Sequence, residues 1–120
     1  MSDETTRPQA KVLTVSDGVA HGTRDDRSGR RLVDHLRAAG WDVVDHRVTP
    51  DGADAVSEIL VELCDGFAGL VVTTGGTGFA PRDQTPEATR SVIERDAPGL
   101  AEAMRLCNPL GRLSRGVAGI

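Results

Sequence analysis

At 120 residues the chain has room for one compact domain and none for a second. Its composition, 38% apolar and 27% charged, is that of an ordinary globular protein, and with only 2% aromatic residues the core has to be built from Val, Leu, Ile and Ala. The net charge of −4 is spread over 14 basic and 18 acidic residues with no basic stripe, which argues against nucleic acid as a partner, and no apolar run reaches membrane-spanning length.

Residues 1–9 are polar and read as a flexible tail without a signal peptide, so the cytoplasm is the expected location; residues 10–120 read as one domain. Residues 11–16 (KVLTVS) are β-branched and nearly continuous in apolar character, as a buried parallel strand requires. A polar loop is expected from Asp17 to Asp26. Either Asp26 or Ser28 can then cap a helix whose Leu32, Val33, Leu36 and Ala39 share one stripe, closed by Gly40.

Residues 41–48 predict a second strand, with Trp41 in the core, and Thr49-Pro50-Asp51-Gly52 supplies the turn after it. A helix to about Asp65 follows, carrying Val56, Ile59, Leu60, Leu63 and Cys64 on one face. Residues 69–73 predict a third strand. Further on, Thr85 reads as a cap and Pro86 as the first residue of a helix that stops by Ala97, because Pro98 follows; another helix is expected over residues 99–107.

Strand and helix in short alternation predict a three-layer α/β/α sandwich on an open, mostly parallel sheet, with ligands bound beyond the carboxyl ends of the strands. Cys64 and Cys107 belong to no CxxC pair and read as small core residues of a protein kept reduced. His21, His35 and His46 share no spacing, so packing or solvated roles are expected of them rather than metal binding.

The most informative segment is VVTTGGTGFAPRDQTPE, residues 71–87. Gly75, Gly76, Thr77 and Gly78 place three glycines in four positions, which lets backbone N–H groups converge on an anion without side-chain obstruction. No Gly-Lys-Ser/Thr follows, so this is not a P-loop, and it is not the dinucleotide GxGxxG either. Taken alone, the glycines fit a tight strand-to-helix connection equally well. Arg82 and Asp83 then place a cation and a carboxylate beside a helix N-terminus whose dipole also favours phosphate. Asp51, on the loop after the second strand, should reach the same sheet edge as Asp83; the pair points to Mg²⁺, although each can also serve simply as a helix cap.

On these residues, GGTG with PRD and TPEAT downstream and Thr49-Pro50-Asp51 upstream, the chain resembles the molybdopterin-binding fold of the Mog-type adenylyltransferases and the gephyrin G domain. Val15-Ser16-Asp17, residues 25–29 (DDRSG), residues 97–100 (APGL) and residues 113–115 (LSR) extend the resemblance over residues 11–120. It implies ATP and molybdopterin as substrates, AMP transfer to the pterin's terminal phosphate with release of pyrophosphate, and a homotrimer. Carried over by position, Asp51 and Asp83 are the catalytic metal ligands. Gly75, Gly76, Thr77, Gly78, Arg82, Ser16 and Asp17 hold the nucleotide and its phosphates, and Thr74 and Ser114 meet the pterin. Family members continue into another strand and an Asn-Leu-Pro-Gly turn, so the chain reads as cut from a longer one. A carrier that holds the pterin without turnover, and an unrelated nucleotide-binding α/β domain, are the competing expectations.

Overall fold

The computed structural model describes residues 6–120, so the first five residues of the tail expected at 1–9 lie outside the described residues. Three parallel strands form the sheet: β1 (Gln9–Val15) in the middle, β2 (Asp42–Thr49) on one side and β3 (Leu70–Thr74) on the other. A strand at the centre of such a sheet is covered on both faces, which is why β1 is largely apolar, interrupted within by Lys11 and Thr14. Ala10, Val12 and Leu13 are fully buried.

Alternate side chains of β1 serve opposite faces. On one, Ala10 and Val12 pack with Val33 and Leu36 of α2 (Arg27–Ala38), the crossover from β1 to β2. On the other, Leu13 and Val15 pack with Val56, Leu60 and Leu63 of α3 (Ala53–Cys64), the crossover to β3, and with Ala88 of α4 (Thr85–Val92). Each large aliphatic side chain buried in this way contributes about 1.5–3 kcal/mol. Helices thus cover both faces, as the α/β/α expectation requires. The strand boundaries differ by no more than two residues from those expected, and β2 and β3 run one residue later at both ends.

Four expectations are corrected. The loop after β1 contains a short helix, α1 (Asp17–Ala20), started by the Ser16 side chain, which accepts from the N–H of Val19 at 3.3 Å. Thr85 is the first residue of α4 rather than its cap; the cap position belongs to Gln84. That helix stops at Val92 and not near Ala97, because the N–H groups of Glu94 and Arg95 both turn to the carbonyl of Ile120, at 2.6 and 3.0 Å. Cys64 and Cys107 are exposed, not core: the first is the last residue of α3 and the second caps α5 (Pro98–Leu106). No helix among the described residues is long and apolar enough to cross a membrane. The carboxyl ends of all three strands lie on one edge, and the loops leaving Val15, Thr49 and Thr74 meet there.

Candidate active site

Gly75 and Gly76 follow β3 directly, with φ of +103° and +69°, a left-handed conformation that residues with a Cβ rarely adopt. Space is short as well as conformation: a Cβ on Gly75 would overlap the carbonyl oxygen of Val15, and one on Gly76 would overlap Oγ1 of Thr85. The glycines are therefore required by the backbone itself.

Every carbonyl of the turn is occupied. Thr85 Oγ1 donates to Gly75 O at 2.9 Å and Thr85 N to Gly76 O at 3.1 Å. Arg115 N donates to Thr77 O at 2.9 Å and Arg115 Nε to Gly78 O at 2.8 Å. The N–H groups of Gly76, Thr77 and Gly78, by contrast, donate to no acceptor among the described residues. A turn with its carbonyls engaged and successive N–H groups left open is an anion-binding arrangement. The plain strand-to-helix connection does not by itself account for this.

Arg115 is the residue that sequence reasoning missed as a functional one. Besides the two bonds above, its Nη2 donates to Asp83 O at 2.6 Å and its Nη1 to the Glu87 carboxylate at 2.7 Å. The guanidinium holds the Glu87 carboxyl below its ordinary pKa, chiefly through that hydrogen bond. Its only trace in the sequence is its place beside Ser114, in a segment that resembles the family's.

Asp51 and Asp83 each approach the turn. A Cβ on Gly76 would sit 3.3 Å from Asp51 Oδ1, and one on Gly78 would sit 2.9 Å from Asp83 Oδ2. Neither is a helix cap. The N-cap of α3 is Gly52, and the N–H of Ala53 is served by Gln84 Oε1 at 2.8 Å; Asp83 accepts from the N–H of Ala80 at 3.2 Å, closing its own turn. Neither carboxylate forms an ion pair among the described residues. Both remain open to a cation.

Asp17 and Arg82 form a separate unit on the rim. Arg82 Nε and Nη2 donate to the two carboxylate oxygens of Asp17 at 2.7 and 3.0 Å, and Nη2 also donates to Asp51 O at 2.8 Å. The Asp17 carboxyl lies below its ordinary pKa and the Arg82 guanidinium above its own, each chiefly because of this bond.

Thr74 and Gly75 separate two clefts. The larger, about 550 Å³, is lined by Ser16, Asp51 and Gly76 and by the segment from Arg24 to Ser28; the smaller, about 270 Å³, is lined by Thr77, Thr89, Met104 and Ser114. Asp17, Gly78, Arg82 and Asp83 line neither. A third groove of 540 Å³ lies between α2 and the edge of β2, away from the glycine turn and both aspartates. No group of three or more His, Cys, Asp or Glu side chains gathers at metal-binding distance among the described residues.

The family profile described as a probable molybdopterin binding domain matches residues 11–111. The chain is 38% identical over 116 residues to a molybdopterin adenylyltransferase of Helicobacter pylori, covering 91% of this chain and 66% of that protein. Among solved structures, a molybdopterin biosynthesis protein from Mycobacterium abscessus superposes with a TM-score of 0.87 at 37% identity, covering 94% of this chain and 74% of that one. The molybdopterin biosynthesis enzyme MoaB from Thermus thermophilus gives 0.83 at 40% identity, with 94% and 74% covered. The chain spans about two thirds of the length of the Helicobacter relative and, at 50%, half that of the Escherichia coli molybdopterin adenylyltransferase.

Proposed function

This chain belongs to the molybdopterin-binding domain family, and we propose that it transfers AMP from ATP to the terminal phosphate of molybdopterin. One observation carries the reading: a glycine turn whose carbonyls are all engaged and whose N–H groups are open, with the unpaired carboxylates of Asp51 and Asp83 against its two ends.

In the reaction, an oxygen of the pterin phosphate forms a bond to the α-phosphorus of ATP. The bond from that phosphorus to the bridging oxygen breaks, and pyrophosphate leaves with the electron pair. The nucleophile is already anionic at neutral pH, so the protein's task is to position two anions and to offset their charge rather than to remove a proton. The N–H groups of Gly76, Thr77 and Gly78 hold phosphate oxygens in place. Ser16 and Asp51 bound the nucleotide cleft, and Thr74 and Ser114 face the cleft assigned to the pterin.

The two carboxylates suit Mg²⁺, which is commonly held by one or two acids together with substrate phosphates and not by a full protein cage. Bound by Asp51 and Asp83, the ion would supply charge neutralisation to the phosphates. Arg82 has a different part from the one its position in the sequence implies: locked to Asp17, it ties the loops after β1, β2 and β3 together. The homotrimer belongs to the same proposal, supported by the exposed Leu100, Met104, Leu110 and Leu113 along α5 and the turn that follows it; light scattering tests it.

The activity is tested by incubating the protein with molybdopterin, ATP and Mg²⁺ and following adenylylated pterin and pyrophosphate. Equal amounts of the two products are expected. Saturable pterin binding with no transfer would instead identify a carrier.

A further inference from the structure

We propose that Arg24 and Arg27 are the cations that receive the β- and γ-phosphates of ATP, the part of the nucleotide that departs as pyrophosphate. The inference rests on the adenylyl-transfer reading and adds to it the residues that discriminate a triphosphate from a monophosphate.

Arg82 is held by Asp17 and by the Asp51 carbonyl, and it does not line the larger cleft. Arg24 and Arg27 do line it, and the side chain of neither forms an ion pair or hydrogen bond among the described residues. The acids beside them are already matched. Arg30 clasps both oxygens of Asp25, at 2.8 and 2.6 Å. Asp26 accepts from Thr14 Oγ1, from the N–H of Gly29 and faces His46 Nε2, each at 3.0 Å. Neither guanidinium thus lies within ion-pair distance of a carboxylate, although the charge of Arg27 helps to hold the Asp25 carboxyl below its ordinary pKa, and the same cleft holds Asp51 and the glycine turn. Guanidinium is suited to phosphate because its planar fork meets two oxygens at once.

The placement of Arg24 is built into the fold. The N–H groups of Thr23 and Arg24 both donate to the carbonyl of Gly18, at 2.9 and 3.1 Å, pinning the loop to α1. The stem of Arg24 then lies over Gly18: a Cβ there would come within 2.5 Å of its Cδ and 2.8 Å of its Cγ. Any larger residue at position 18 would push the guanidinium away. When the bond between the α-phosphorus and the bridging oxygen breaks, the electron pair remains on pyrophosphate, and cations at this point stabilise the charge that develops.

Titration calorimetry of the full chain with ATP, AMP and inorganic pyrophosphate, in the presence of Mg²⁺, tests the proposal. Arg24→Ala and Arg27→Ala should each weaken ATP and pyrophosphate by about tenfold or more while AMP changes less than about twofold. Gly18→Ala, which displaces Arg24 without removing it, should show the same selective loss. Unchanged ATP affinity in both arginine variants, or an equal loss for AMP and ATP, overturns the assignment and leaves the adenylyl-transfer reading standing. Failure of the unsubstituted protein to bind ATP overturns both.

Discussion

Asp17 and Asp51 hold each other by a reciprocal pair of hydrogen bonds: the N–H of Asp17 donates to Asp51 Oδ2 at 2.9 Å, and the N–H of Asp51 to Asp17 Oδ1 at 3.1 Å. The pair fastens the loop after β1 to the loop after β2, and Arg82 extends it to the loop after β3. Asp51 is thereby fixed by a residue that need not touch substrate.

The carboxyl of Asp17 sits below its ordinary value of 3.8, above all because Arg82 donates to its charged form. A depressed folded-state pKa adds stability that is fully present above the unfolded value and is lost as pH falls through the folded one. Thermal melts should therefore show wild type losing stability below about pH 4, and Asp17→Asn losing less of it over that range. Parallel acid profiles for the two proteins would contradict the pairing.

Gly75 has both a left-handed backbone and no room for a Cβ. Gly75→Ala should cost at least about 2 kcal/mol of stability in urea denaturation, from the backbone conformation and the overlap with Val15 O together. A cost within error of zero would mean that the turn relaxes freely.

Arg115 grips the glycine turn, the Asp83 carbonyl and Glu87 at once. Arg115→Ala should lower stability by about 2 kcal/mol, as loss of charge-assisted hydrogen bonds does, and should reduce AMP transfer beyond what the loss of folded protein explains. Arg115→Lys should recover little, because an ammonium cannot reproduce the fork. Full transfer activity in folded Arg115→Ala would remove Arg115 from the positioning of Asp83.

The sheet and its flanking helices were legible in the sequence because local signals agreed with the tertiary outcome. Nearly continuous apolar character marked β1, and the stripe of Val33 and Leu36 marked α2. What was not legible depended on distant partners. Pro98 set the expected end of α4 near Ala97, yet the pairing of Glu94 and Arg95 with Ile120 ends it at Val92. Cys64 and Cys107 shared apolar patterns but fell at helix ends, where the stripe no longer faces the core. The glycine turn, Asp51 and Asp83 could be named from their spacing. Their supports could not, since Arg115 reaches Gly78 across 37 residues and Arg82 reaches Asp17 across 65.

The most direct test of the central claim is single-turnover AMP transfer by Asp51→Asn and Asp83→Asn, with molybdopterin affinity measured on the same samples. Each variant should bind the pterin as wild type does while transfer falls by about 100-fold or more, the scale expected when a group offsetting transition-state charge is removed. Wild-type transfer rates in either variant would contradict the assignment of that aspartate.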